Sequence, residues 1–176
     1  MLYAITPEFE DYFDLLQIIK SVRKHDISHL LLRNKNLAFT DILKYRALAI
    51  EHLPSSVKVV MNPHELPFRY KKYNTHLHLN SRNLFKVPKS TSWVSASCHN
   101  LREIKAANEL NLEFILLSPV LKTIKYPNHL GWKSFSLLAK ESKHPVIALG
   151  GLNLNSLEEA LQFGARGIAG ISMFLS

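Results

Sequence analysis

The sequence is sparing with the features that would narrow its class quickly. It has a single cysteine, Cys98, among 176 residues, so no internal disulfide can form and a reducing cytoplasm suits the chain. No apolar run approaches the ~20 residues of a membrane-spanning helix, and the N-terminus carries no signal-peptide pattern. Low-complexity segments and linkers are absent too, so residues 1–176 read as one domain. Negative charge is scarce: 14 Asp and Glu against 22 Lys and Arg leave a net charge of +8. Those basic residues are scattered, without the dense block or interleaved aromatics of a nucleic-acid surface. The charge permits nucleic acid as a partner, and a basic mouth for a small phosphorylated ligand explains it about as well. With 47% hydrophobic residues the chain can bury a real core.

What is present is a regular alternation. Short apolar runs at residues 2–6, 27–32, 57–61, 75–79, 93–96, 113–117, 146–149 and 167–171 read as strands. Between them lie helical patterns. Residues 8–24 put Phe9, Tyr12, Phe13, Leu16, Ile19 and Val22 at helical spacing, and residues 38–52 do the same with Ile42, Leu43, Tyr45 and Leu48. Another helix follows Asn100, which caps it with Glu103 three residues on, and a fourth spans about 131–140. Eight strands alternating with helices predict a parallel α/β protein, and that number suggests a compact (β/α)8 TIM barrel. The barrel must be lean, since about 250 residues are usual. The sequence stops at Ser176, so the last helix is missing from the pattern. A second copy, a partner or the N-terminal helix is expected to cover that flank.

Residues 144–173 are the most informative stretch. Val146–Leu149 reads as a buried strand, Gly150-Gly151 as a glycine turn, and Asn155 with Glu158 as a capping box opening a helix. Leu157, Ala160 and Leu161 form that helix's apolar stripe, and Gly164 ends it. Glycines in such a turn either shape a tight loop or let backbone N–H groups approach an anion, which makes the pair half of a phosphate cradle.

A barrel of this kind gathers its site at the carboxyl ends of the strands. The residues there are Thr6, Arg33, Lys35, Asn62, His78, Ser97, His99, Ser118, Thr123, Gly150, Gly151 and Ser172. The set is rich in donors and cations and holds no carboxylate, so it suits an anion better than acid–base work or a hard metal. His76 and His78 share one strand face and could form a metal pair, but without a carboxylate or cysteine nearby hydrogen-bonded mouth histidines fit better. Cys98 and His99 are adjacent on a strand and point to opposite faces, which argues for a structural thiol rather than a dyad. Trp93 and Trp132 read as packing residues.

These markers, in this order, resemble the thiamine-phosphate synthase/TenI superfamily. LYAIT opens the chain, LRNK covers 32–35, Asn62 ends the third strand, LHL covers 77–79, and SASCH covers 95–99. SPV at 118–120 with Thr123, IALGG at 147–151 and Ile171-Ser172 complete the series. The SPV…Thr123…Leu130-Gly131-Trp132 run is similar to the version of this domain fused to Nudix hydrolases. The resemblance implies a transferase of thiamine biosynthesis that joins hydroxymethylpyrimidine diphosphate to thiazole phosphate and releases pyrophosphate. It implies a catalytic set of Arg33, Lys35 and Ser97, and a thiazole-phosphate site of Gly150, Gly151, Ile171 and Ser172. Asn62, His78, His99, Ser118, Thr123 and Lys125 are implied as substrate-binding. The resemblance implies a Nudix-type partner, while the uncovered flank after the eighth strand is what points to a homodimer.

The departures are informative. The family's Mg²⁺ rests on two aspartates, and their places are taken here by Pro63 and Asn83, so no metal ligands are assigned. Leu31 replaces a glutamine, and Pro119 stands where the TenI branch has its catalytic histidine. The alternatives are therefore a non-catalytic binding module for a thiamine-related phosphate, or a TenI-like protein.

Overall fold

A computed structural model of the chain describes residues 1–63, 76–87 and 92–175. The fold is the α/β barrel of TIM type, built on eight parallel strands. Contacts group the chain into two compact units: Leu2–His78 with Ile171–Ser176, and Met1 with Leu79–Gly170.

In the first unit β1 (Leu2–Ile5), β2 (His29–Arg33) and β3 (Lys58–Asn62) pair in sequence order. β2 is buried from His29 through Leu32, as a parallel strand covered on both faces must be. Its register sets Arg33 opposite Asn62, so both leave their strands at the same level. Helix α1 (Tyr12–Val22) starts later than its periodicity suggests. The Asp11 carboxylate accepts from the Asp14 N–H at 3.0 Å and fixes the start there. Phe9 is therefore a loop residue, buried edge-on against Tyr45, while Phe13 is left 73% exposed and Tyr12 is exposed as well. Helix α2 (Phe39–His52) buries Ile42, Leu48 and Ala49. A 3-10 turn, Ser172–Phe174, closes this unit, with Phe174 fully buried against the His25 ring.

β4 is short (His78–Leu79), and Leu77 bridges to Met61 beside it. Thr75, the expected start of this strand, lies outside the described residues. In the second unit β5 (Ser92–Cys98), β6 (Asn111–Leu117), β7 (Val146–Leu149) and β8 (Gly167–Gly170) pair in order. At Gly167 β8 has no room for a side chain, because Met1 lies against it. The Met1 carbonyl accepts from Ile168 N–H, and a Cβ at Gly167 would run into that carbonyl. The strand ends at Gly170, one residue before its expected end.

The helices of this unit are α3 (Leu101–Ala107), α4 (Gly131–Lys140) and α5 (Ser156–Gln162). Asn100 caps α3 as expected, accepting from Glu103 N–H at 3.0 Å. The Glu103 carboxylate reaches back to the N–H of His99, at 2.7 Å. The expected box at Asn155 and Glu158 does not form: Asn155 has a helical backbone and makes no side-chain cap bond. The turn begins two residues earlier. There the Asn153 amide oxygen accepts from Asn155 N–H at 2.9 Å and Asn153 N–H donates to Ser156 Oγ. Leu161 is 49% exposed, so Ala160 is the buried residue of the expected stripe. Gly164, at φ +92°, does end α5: its N–H meets Leu161 O and Ala165 N–H meets Ala160 O, a Schellman pair. Trp132 stacks on Phe163 and meets Phe135 edge-on, a packing role as expected.

Candidate functional site

The exit of β2 forms the first cluster. Thr6, fully buried, accepts from Arg33 N–H at 3.0 Å and donates to Arg33 O, which locks the exits of β1 and β2 together. Buried Asn34 donates to Phe9 O at 2.6 Å and accepts from Asn36 N–H, fixing the loop beyond. Onto this frame the loop after β1 brings Glu8. One carboxylate oxygen lies 3.4 Å from Arg33 Nη1, and the other accepts from the backbone N–H of Lys35 at 3.2 Å. The expectation that these exits hold no carboxylate is therefore corrected. Glu8 escaped notice because helical periodicity placed it inside a helix starting at residue 8, and its partners are 25 and 27 residues away. Lys35 itself is exposed, and the group it contributes to Glu8 is its main-chain N–H. Asn62 is half-buried beside Arg33 in register.

His78 is not the mouth histidine the sequence suggested. It is buried, and desolvation lowers its pKa to about 3, so it stays neutral at physiological pH. His76 is exposed, so the two do not form a matched pair. Among the described residues no group of three His, Cys, Asp or Glu side chains could hold a metal ion.

The second cluster lies at the exits of β5, β6 and β7. Ser97 and Cys98 end β5, with Ser97 half-buried. The Cys98 thiol is pushed up to about 12, first by burial and then by the charge of Glu103, so it remains an unreactive core thiol. His99 Nδ1 lies 2.8 Å from Ser118 O and 3.2 Å from Ser118 Oγ. A carbonyl only accepts, so Nδ1 carries a hydrogen.

The loop that follows, Pro119 to Leu121, lies against the glycine turn: Val120 N–H donates to Leu149 O and Leu121 N–H to Gly150 O. Gly150 and Gly151 have φ of +103° and +73°, and an added Cβ would come within 2.9 Å of Pro119 and 2.8 Å of Leu121 respectively. Both glycines are thus required by backbone conformation and by close approach of that loop. A branched residue at Gly151 would collide with Leu121 before it met any anion, so a substitution there disturbs the loop first. Thr123 turns the next loop, its Oγ1 accepting from Tyr126 N–H at 2.9 Å. Lys125 is exposed there, 6.0 Å from the Tyr126 ring centre. Ile171 and Ser172 follow β8, and Ser172 O accepts from Leu175 N–H to close the terminal turn.

An α/β barrel of TIM type, with arginine, asparagine and serine at strand exits and a glycine turn after β7, is the class these features define. Within that class, the thiamine monophosphate synthase family pattern matches residues 2–174, and the chain belongs to this family. A putative thiamine-phosphate synthase 2 of Aquifex aeolicus is 29% identical over 99% of this chain and 97% of its own length. Thiamine phosphate pyrophosphorylase from Pyrococcus furiosus superposes with a TM-score of 0.70 at 19% identity, covering 97% of this chain and 85% of its own. The Bacteroides thetaiotaomicron counterpart gives 0.62 at 22% identity, covering 98% and 83%. No helix is long and apolar enough to cross a membrane among the described residues.

The Mg²⁺ associated with the family does not fit the residues that occupy its expected positions. Pro63 is buried and offers no side-chain donor atom. Asn83 is buried in a 3-10 turn and offers a neutral amide where the family has a carboxylate, a weak ligand for Mg²⁺ on its own.

Proposed function

We propose that this chain takes hydroxymethylpyrimidine diphosphate at the β2 exit and thiazole phosphate at the Gly150-Gly151 turn, with side-chain and main-chain donors in the place of the usual metal carboxylates. The convergence of Arg33 and the Lys35 N–H on the two oxygens of one carboxylate carries the reading, because a diphosphate presents oxygens of the same kind. In the reaction the methylene–oxygen bond breaks and its electron pair leaves with pyrophosphate. The thiazole nitrogen lone pair then forms the new carbon–nitrogen bond. Charge accumulates on the departing oxygens, where a guanidinium and fixed N–H groups stabilise it. Ser97, Asn62, His99, Ser118 and Thr123 complete the substrate contacts in this reading, and Ile171 and Ser172 those of the thiazole phosphate.

The second reading is a non-catalytic module for a thiamine-related phosphate, and the absence of carboxylates at Pro63 and Asn83 favours it. Both readings place the chain in the cytoplasm, as a homodimer or beside a Nudix-type partner.

Thiamine phosphate formation, followed against Mg²⁺ concentration, tests the proposal. The chain is expected to show little or no Mg²⁺-dependent turnover, and Pro63→Asp with Asn83→Asp is expected to introduce Mg²⁺-dependent diphosphate binding. Turnover at an ordinary synthase rate that requires Mg²⁺ in the unaltered chain would contradict it.

A further inference from the structure

The loop after β1 is tied to the loop after β2 by three side chains, and they are not equivalent. Thr6 and Asn34 are buried and satisfied by main-chain groups, so they hold the two loops together by themselves. Glu8 adds only exposed contacts: its side chain is 47% accessible and that of Arg33 is 25%. A solvent-facing ion pair of this kind is weak and readily exchanged. Yet its geometry is that of a bound anion, with one oxygen toward the guanidinium and the other on the Lys35 N–H. The frame does not need Glu8, and the anion-binding donors are already engaged by it.

We propose that Glu8 is an exchangeable counter-ion, standing where two oxygens of the diphosphate bind, so that ligand entry and pyrophosphate release are both exchanges with its carboxylate. This rests on the reading of the β2 exit as the diphosphate site. A diphosphate brings more charge and more oxygens than one carboxylate, so it displaces Glu8 and frees it to swing into solvent. After the bond breaks, the return of Glu8 to Arg33 and Lys35 N–H competes with the product and lowers its affinity. Glu8 thereby limits product retention at a site whose ligands are held by side-chain and main-chain donors without metal carboxylates.

Calorimetric titration with inorganic pyrophosphate in EDTA tests this on the full chain and on Glu8→Gln, Arg33→Ala and the double variant, with Glu8→Ala as a second removal of the charge. Thermal melts check that each variant folds. Pyrophosphate affinity is expected to rise about 3–10-fold in both Glu8 variants, and the gain is expected to vanish when Arg33 is absent. Unchanged or weaker binding in the Glu8 variants, with loss of binding in Arg33→Ala, would overturn the counter-ion role and leave the β2-exit site standing. Failure of the unaltered chain and the Glu8 variants alike to bind pyrophosphate would overturn both.

Discussion

Burial decides the chemistry of the two side chains most easily mistaken for reactive ones. Cys98 sits at the end of a strand next to a histidine, and desolvation keeps it a thiol. His78 occupies a motif position at a strand exit, and desolvation keeps it neutral. The consequence for stability has a definite sign. The folded pKa of about 3 lies below the ordinary 6.5, so between those values the unfolded chain binds the extra proton. The His78 contribution is complete above about pH 6.5 and is lost as pH falls toward 3. Denaturant midpoints measured from pH 7 to pH 4 are expected to fall less steeply in His78→Gln than in the unaltered chain. Equal slopes would show that His78 is not the buried neutral group described. At this scale the sequence was informative about where residues sit along strands, since Arg33, Asn62, Ser97 and Ser118 all lie at strand exits. Depth was not legible, because neighbours distant in sequence set it. Glu8 was missed for the same reason: its meaning lies in contacts 25 residues away.

At the scale of elements, the two capping boxes separate signal from structure. The Asn100 and Glu103 pattern forms a real cap, with Glu103 bonded to the N–H preceding Asn100. Asn155 and Glu158 present the same spacing and form none, because Asn153 and Ser156 close a turn upstream. Asn100→Ala is expected to cost about 1 kcal/mol and Asn155→Ala close to nothing, as read from denaturant midpoints. Equal losses would contradict the assignment. Helix α1 teaches the same lesson, since Asp11 overrode an apolar periodicity that runs from Phe9. Strand positions were legible because parallel strands are continuous apolar runs between polar exits. Element ends were less so, being set by one or two hydrogen bonds. The glycine pair is a third case: its position was visible, and the loop at 119–121 that requires it was not.

For the whole molecule, the regular return of strands made the barrel readable, and the family pattern over residues 2–174 agrees with it. The terminal turn was not readable: Phe174 is buried against His25, a contact between residues near opposite ends of the sequence. The central claim is that this barrel holds a diphosphate with its own donors, without metal carboxylates at Pro63 and Asn83. Pyrophosphate binding by calorimetry, in EDTA and again with Mg²⁺, tests it most directly. The account predicts the same affinity in both conditions, lost when Arg33 becomes alanine. Binding that appears only with Mg²⁺, and that survives Arg33→Ala, would contradict it.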